Sequence, residues 1–199
     1  MIGKLAQKSY YQKVLKKARY RLKKIETFLD DYEADELLKV YTHLHPARKE
    51  LILPIYLPDE LFVQKWEQVT YKKREFAPGD QEIYTEKGER VLSKSEKILA
   101  DKFYMMGIPY RYEFPLELSG VGVIHPDFML LNKRNRKEYY WEHLGMMDSP
   151  EYCVNAIRRI EYYEKNHIFP GEQLILTYET KSVPLNIKVV ENILEEFLC

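Results

Sequence analysis

The segments HPDFMLL (residues 125–131) and EYYWEHLG (residues 138–145) decide the fold that this sequence can adopt. Both are rich in aromatic and aliphatic residues that favour β-strands. The residues between them, NKRNRK (132–137), combine asparagines with charges and suit a solvated turn. The sequence therefore predicts an antiparallel hairpin.

The hairpin carries two acids whose positions depend on its register. If the loop closes at residues 132–137, Leu131 faces Glu138, and counting outward in equal steps brings Asp127 opposite Glu142. Such partners point to the same side of a sheet with Cβ atoms about 4.5–5.5 Å apart, so two carboxylates there repel unless they are protonated or bridged by a cation. This register predicts a metal site. A slip of one residue would instead leave two unrelated polar side chains on opposite faces.

Composition sets broad limits. The 199 residues suffice for one large domain or a smaller one with an appendage, and 31 basic residues balance 31 acidic ones, so net charge predicts no partner. The two cysteines form no Cys-x-x-Cys pair, which favours reduced thiols. No apolar run approaches the roughly 18 residues of a membrane span, and the first residues lack the apolar core of a signal peptide. We expect a soluble, cytoplasmic protein without membrane contact.

The amino-terminal segment has its own character. Apolar residues recur at steps of three and four and predict an amphipathic helix from about Lys4 to Leu29: Tyr11, Val14, Ala18, Leu22, Ile25 and Leu29. Basic residues occupy most of the remaining circumference: Lys4, Lys8, Lys13, Lys16, Lys17, Arg19, Arg21, Lys23 and Lys24. This basic surface is either a solvated face or an arm that contacts phosphates. Pairing of the helix with a partner or with its own copy is a further alternative.

Helices dominate the first part of the chain and strands appear later. Asp35 is a candidate cap for a second helix that ends before Pro46. Residues 72–88 show little periodicity and contain Pro78 and Gly79, which is typical of a linker. We therefore predict a helical basic amino-terminal region over residues 1–80 and a second domain over residues 81–199.

The second domain begins with a helix in which Ser93 and Glu96 fit a capping box. The elements expected after it are a strand over 108–118, a turn at Gly122 into the hairpin, a helix over 150–166, a strand over 173–180 and a helix over 183–198. Asp148 or Ser149 caps the helix over 150–166, and its apolar stripe is Val154, Ile157, Ile160 and Tyr163. A strand, helix and strand in one sheet require a right-handed parallel crossover, so we expect a mixed sheet covered by helices.

These residues resemble a known superfamily. Pro126-Asp127, the later Glu142 and the helical Glu96 resemble the PD-(D/E)XK nucleases, whose core has this order of elements, and the resemblance covers roughly residues 86–199. Three strings are similar to bacterial nuclease-like domains, some of them attached to helicases: WEHLG (141–145), NHI (166–168) and LILT (174–177). The resemblance implies a restriction-endonuclease-like α/β fold with a mixed four-stranded sheet.

The resemblance also implies roles for individual residues. Asp127 and Glu142 would bind the metal, Glu96 would complete the acidic cluster, and the carbonyl oxygen of His143 would be a further ligand. Oxygen ligands suit Mg²⁺ or Mn²⁺ better than zinc.

One position departs from the superfamily pattern. A lysine is expected two residues after the second acid, and this chain has Leu144 there. The resemblance maps a replacement best to Arg159, which can stabilise charge but cannot act as a general base. His143 and Lys94 are alternatives, although strand alternation turns the His143 ring away from the Glu142 face and favours a packing role.

The sequence thus leads to the hypothesis of a metal-dependent nuclease acting on DNA. Basic residues at the hairpin tip are candidates for nucleic-acid contact, with a solvated turn as the alternative: Lys133, Arg134, Arg136 and Lys137. The rival hypothesis is a non-catalytic nucleic-acid-binding module, a degenerate nuclease fold in which the missing lysine reflects lost chemistry.

Overall fold

The computed structural model describes residues 2–31, 36–73 and 76–198. The chain divides into two units, residues 1–58 and 59–199. This division lies before the boundary that the sequence suggested near residue 80, because the helix Asp59–Glu67 contributes the buried Trp66 to a core of the second unit.

The first unit contains α1 (Ile2–Asp31), α2 (Glu36–Thr42) and α3 (Pro46–Lys49). The long amino-terminal helix confirms the prediction from periodicity, and every side chain described in α1 is exposed. Asp35, the expected cap of α2, lies outside the described residues.

In the part of the chain that the structure describes, no helix has the length and apolar content needed to cross a membrane.

The second unit alternates helices and strands along the chain. Its elements are α4 (Asp59–Glu67), β1 (Ile83–Tyr84), β2 (Arg90–Val91), α5 (Lys94–Met105), β3 (Tyr110–Tyr112), β4 (Leu116–Leu118), β5 (Gly122–Ile124), β6 (Phe128–Leu131), β7 (Glu138–Leu144), α6 (Pro150–Lys165), β8 (Leu174–Tyr178) and α7 (Ile187–Leu198). The main sheet has the order β3-β6-β7-β8, in which β7 and β8 are parallel and the other pairs antiparallel. The predicted mixed four-stranded sheet with a helical crossover is confirmed.

The hairpin of β6 and β7 has the predicted register. Leu131 pairs with Glu138 and Phe128 with Trp141. Asn132 fixes the loop, since its side-chain oxygen accepts hydrogen bonds from the backbone N–H of Arg134 at 2.9 Å and of Asn135 at 3.3 Å. A closed loop of defined length prevents the one-residue slip that would exchange the two faces of the sheet.

Apolar side chains cover both faces of the main sheet. One core joins the sheet to α5 and α7 and includes Trp141, while the other joins it to α4 and α6 and includes Tyr140 and Tyr163. Neighbours along β7 therefore point alternately to α5 and α6, as the two-residue period of a strand requires. This alternation determines which side of the sheet each polar residue near the end of β7 can reach.

The strand expected over residues 108–118 is interrupted in the structure. Chain direction changes at Glu113, which has a φ of 50°, and Pro115 follows two residues later. Its second half, β4, pairs with β5 and forms a two-stranded sheet separate from the main sheet. Pro115 lacks the N–H that a continuous strand would need.

Helix α6 presents a face to the sheet that differs in part from the expected one. Of the predicted apolar stripe, Tyr163 is buried and Ile160 is half-buried, but Val154 and Ile157 are 56% and 58% exposed. Ala156, which was not part of that stripe, is buried. Steps of three residues fall about 60° short of a full turn at 100° per residue, so a stripe built only of such steps drifts around the helix. The face that packs on the sheet instead includes Arg159.

The amino-terminal cap of α5 offers a test of local stability. The hydroxyl oxygen of Ser93 accepts a hydrogen bond from the Glu96 N–H at 3.1 Å, as the capping box predicted. We expect Ser93→Ala to lower the free energy of unfolding by about 1 kcal/mol, the usual cost of losing such a cap. Urea denaturation measures the change, with Ser119→Ala in an exposed turn as the control. Equal effects of the two substitutions would contradict a specific capping role.

Candidate functional site

The side chains of Asp127 and Glu142, at the adjacent ends of β6 and β7, line the same cleft. Asp127 immediately precedes β6, and extending the β6–β7 pairing by one position places it opposite Glu142. The Asp127 Oδ2 atom accepts a hydrogen bond from the backbone N–H of His143 at 2.6 Å. Both acids line a cleft of about 460 Å³, in which Glu142 is only 4% exposed.

Helix α6 supplies the groups that hold Glu142. The Oε1 atom of Glu142 lies 2.8 Å from Arg159 Nε and 2.7 Å from Arg159 Nη2. It also accepts a hydrogen bond from the Tyr163 hydroxyl, and Arg159 donates a further bond to the carbonyl oxygen of His125. Arg159 and Tyr163 are four residues apart and therefore share a helix face.

The electrostatics of the pair are unfavourable for two ionised acids. Burial raises the pKa of Asp127 well above its usual range and the charge of Glu142 raises it further, while the His143 N–H opposes both effects. Burial also raises the pKa of Glu142, opposed by Arg159 and Tyr163. Burial alone would lower the pKa of Arg159, but the charge of Glu142 raises it, so the guanidinium is held in its charged form. Among the described residues, Arg159 is thus the one cation that compensates Asp127 and Glu142, and a second positive charge beside the two acids would be favourable.

The donor atoms of this pair fit a hard divalent cation. Oδ1 of Asp127 and Oε2 of Glu142 accept no hydrogen bond from the described residues. Among residues 2–31, 36–73 and 76–198, no group of three or more His, Cys, Asp or Glu is arranged to hold a metal. Mg²⁺ commonly binds through one or two carboxylates and keeps several waters, so two acids match its requirements better than those of zinc.

Glu96 is engaged in the cap of α5. Its Oε1 atom receives a hydrogen bond from the Ser93 hydroxyl at 2.9 Å, and Oε2 receives bonds from the Leu92 N–H at 2.9 Å and the Tyr112 hydroxyl at 2.7 Å. Its charge contributes to raising the pKa of Asp127, so the two acids interact electrostatically. Glu96 is not part of the cleft lining, and its role as a metal ligand stays a prediction.

The His143 ring points away from the Glu142 contacts, as strand alternation predicted. Its Nδ1 lies 3.0 Å from Thr177 Oγ1 on β8, and its Nε2 lies 3.2 Å from Glu179 Oε1. Trp141 on the same face also donates to Thr177 Oγ1, at 3.0 Å. The ring thus ties β7 to β8, while the backbone of His143 serves Asp127.

The three candidates for the missing lysine are not equivalent. Leu144 occupies the expected lysine position and lines the cleft with an aliphatic side chain. Lys94 is exposed and is not part of that lining. Arg159 alone among Arg159, His143 and Lys94 contacts Glu142 through its side chain.

The basic residues of the hairpin tip also differ from one another. Lys133, Arg134 and Lys137 are exposed. Arg136 forms an ion pair with Asp59 at 2.8 Å and lies over the ring of Phe62, 4.7 Å from its centre. Arg136 therefore stabilises the junction with α4, and its proposed role in nucleic-acid binding stays a prediction.

Two site residues were not identified from sequence. Tyr163 was assigned to an apolar stripe, although its hydroxyl bonds Glu142. The Tyr152 hydroxyl accepts a hydrogen bond from the Gly145 N–H at 3.2 Å, just after β7. The spacing of Arg159 and Tyr163 was the available signal, because residues four apart on a helix reach the same partner.

Known proteins similar to this chain do not identify a function for the site. No family model matches the chain. An uncharacterized protein of Methanocaldococcus jannaschii is 39% identical over 90 residues, which are 45% of this chain and 7% of that protein. The similarity thus covers a small part of a much longer relative whose name states no function.

Proposed function

We propose that this protein is a divalent-metal-dependent nuclease that hydrolyses phosphodiester bonds of DNA, with a restriction-endonuclease-like core of the PD-(D/E)XK type. The observation that carries the proposal is the cross-strand pair Asp127 and Glu142 at a cleft, with Arg159 bound to the second acid. Two buried acids against one cation are unfavourable in a purely structural ion pair, because burying uncompensated charge is costly. A site that must bind a second cation accounts for the arrangement.

Each residue has a distinct role in this proposal. Asp127 and Glu142 hold Mg²⁺ or Mn²⁺, with the His143 carbonyl and Glu96 as further proposed ligands. When bound, such an ion acidifies a water for attack on phosphorus and withdraws charge from the phosphate oxygens. The His143 N–H and the Tyr163 hydroxyl orient the two acids. These hydrogen bonds thus hold the carboxylates of Asp127 and Glu142 in position in the protein without bound metal.

Arg159 replaces the missing lysine only in part. Its guanidinium lies at the acidic pair and remains charged, so it stabilises negative charge that develops on the phosphate but takes no proton from water. Leu144 offers no polar group. Neither Leu144 nor Arg159 would therefore take the proton from the attacking water.

A cleavage assay tests the proposal directly. Single-stranded and duplex DNA are incubated with the protein in EDTA and then with Mg²⁺ or Mn²⁺ restored. We expect products only with metal, and equal product with and without metal would contradict the assignment. Density for Mn²⁺ between Asp127 and Glu142 in soaked crystals would support the ligand assignment independently of turnover.

One observation favours a second candidate function. Oε1 of Glu142 already accepts bonds from Arg159 and Tyr163, and Leu144 stands where the superfamily has lysine. A nuclease fold that has lost its chemistry would show this arrangement and would still bind nucleic acid. This alternative predicts salt-sensitive DNA binding that survives Asp127→Ala, with no product under any metal.

We further propose that α1 pairs with the α1 helix of a second copy of the chain. Apolar side chains that would be costly to leave in water are more than half exposed along it, among them Tyr11, Leu22, Ile25 and Leu29. The basic residues of α1 repel a second copy at low ionic strength, and salt screens that repulsion.

Sedimentation velocity over a range of protein concentrations measures this association. We expect the average mass to rise with concentration, more steeply at high salt, and Leu22→Glu to reduce the rise because it places charge in the apolar stripe. Lys13→Glu removes one of the repelling charges and serves as the control, in which association persists. A constant monomer mass under all conditions would rule out self-pairing through α1.

A further inference from the structure

One wall of the cleft beside the acidic pair is formed by α6. Tyr152, Asn155, Arg158 and Tyr162 line it, and Ile124 of β5 also borders the space. The volume of about 460 Å³ lies within the range of roughly 300–1,000 Å³ that pockets for small ligands occupy. The cleft is therefore large enough for one nucleotide.

Several of these side chains have no polar partner among the residues that the structure describes. The Asn155 amide, the Arg158 guanidinium and the Tyr162 hydroxyl make no hydrogen bond or ion pair with any residue that the structure describes. Arg159 and Tyr163, the next residues along the helix, are both bound to Glu142. Helix α6 thus holds the acid with one set of residues and leaves an adjacent set open to a ligand.

The depth of the acids limits what can reach them. Glu142 is 4% exposed and lines the cleft together with Ile124 and the α6 tyrosines, so a phosphate must enter the cleft to approach it. In a duplex the nucleotide would have to leave its stack and its pair, at an energetic cost that a single strand does not incur. Tyrosine rings provide a surface on which an unstacked base of any sequence can stack.

On the premise of the nuclease proposed above, we infer that this cleft receives an unpaired nucleotide and that the substrate is single-stranded DNA. The ring of Tyr162 contacts the base, and Arg158, four residues earlier on the same helix face, binds the phosphate adjacent to the one at Asp127 and Glu142. Arg158 and Tyr162 are specificity-determining residues, because they select the strand state rather than supply the chemistry.

Binding without turnover tests the inference separately from the nuclease activity. Fluorescence anisotropy in EDTA compares one labelled oligonucleotide as a single strand and as a duplex. We expect the single strand to bind at least about tenfold more tightly. Tyr162→Leu should weaken single-strand binding about fivefold or more, as expected when a stacking ring is removed, and Tyr162→Phe should retain it. Arg158→Ala should weaken binding and reduce the salt dependence by about one phosphate contact.

Lys165→Ala provides the matched control. Lys165 is on the same helix and 68% exposed, forms an ion pair with Glu161 at 3.6 Å, and is not part of the cleft lining, so its loss should leave single-strand binding unchanged. Equal binding of single strand and duplex, or equal effects of Tyr162→Leu and Tyr162→Phe, would overturn the inference.

The two proposals fail in different ways. Metal-dependent cleavage that prefers duplex DNA would leave the nuclease assignment intact and overturn the inference. Single-strand preference that depends on Tyr162 and Arg158, without cleavage in any metal, would uphold the cleft as a binding site and overturn the nuclease.

Discussion

Replacing Asp127 by Asn is expected to reduce magnesium-dependent cleavage at least about 100-fold while making the metal-free protein more stable. A metal ion held by Asp127 would contribute several kcal/mol of charge stabilisation in the transition state, and each 1.4 kcal/mol or so corresponds to a factor of ten in rate. The same carboxylate is buried beside Glu142, which raises its pKa. We expect the uncharged amide to add about 1–3 kcal/mol to the free energy of unfolding, the scale on which poorly compensated polar groups destabilise folded proteins.

The stability gain should depend on pH in a defined direction. Below the unfolded pKa of about 3.9 the carboxyl is protonated in both states, so Asp127→Asn should have little effect on stability there. As the pH rises, the unfolded chain loses its proton first, since the folded pKa is the higher one. The stability of the wild type relative to the variant therefore falls between about pH 4 and the raised folded pKa of Asp127, and the difference is constant above it.

Thermal unfolding with and without Mg²⁺ completes the test. Magnesium should raise the Tm of the wild type, because a ligand that binds only the folded state stabilises it, and should leave Asp127→Asn unchanged. Glu172→Gln, an exposed acid outside the cleft, is the control for charge removal and should behave as the wild type. A variant that cleaves normally, or one that magnesium still stabilises, would contradict the role of Asp127 as a ligand.

The hairpin register could be predicted because local rules fix it. Asn132 closes the loop through its own side chain, and the apolar strands leave no register that buries them equally well after a one-residue shift. The turning of the His143 ring away from Glu142 followed from the same alternation. The pairing of Asp127 with Glu142 thus depends on contacts that are close in sequence.

Features that depend on contacts between distant segments could be predicted from the sequence only in part. The orientation of α6 depends on which residues pack against the sheet, so the predicted stripe was right for Tyr163 and wrong for Val154 and Ile157. The packing of α4 against the main sheet depends on Trp66. Its indole N–H donates a hydrogen bond to Glu138 Oε1 at 2.6 Å, and the two residues are 72 positions apart in the sequence. Periodicity reports that a helix is amphipathic but does not report its partner, which tertiary packing selects.

The candidate site depends both on contacts that are close in sequence and on contacts between distant segments. A hairpin that forms locally brings the acids together, and only the tertiary docking of α6 supplies Arg159 and Tyr163 to compensate them. The acids therefore favour the docked helix, and the docked helix lowers the cost of burying the acids. Stability and the candidate chemistry are coupled through one ion pair.

Replacing Arg159 by Ala should therefore be the most destabilising of the substitutions considered for this site. Among the described residues, Glu142 would keep the Tyr163 hydroxyl alone as a partner for Oε1 and would remain buried beside Asp127. Removing one partner of a buried pair typically costs about 3–5 kcal/mol, and because the Arg159 side chain is 37% exposed we expect about 2–3 kcal/mol. Cleavage should fall about 100-fold or more, as when one group that stabilises developing charge is removed.

A double-mutant cycle distinguishes the interaction energy between Arg159 and Glu142 from a general destabilisation of α6. Glu142→Gln removes the charge that Arg159 compensates, so Arg159→Ala should cost much less in that background, with a coupling of about 1–3 kcal/mol in urea denaturation. Arg159→Lys should restore only part of the stability, because an ammonium group cannot bridge the Glu142 carboxylate and the His125 carbonyl as the planar guanidinium does. Additive effects of Arg159→Ala and Glu142→Gln would show that the two side chains act independently, and the positive charge at the acidic pair would then have to come from another source.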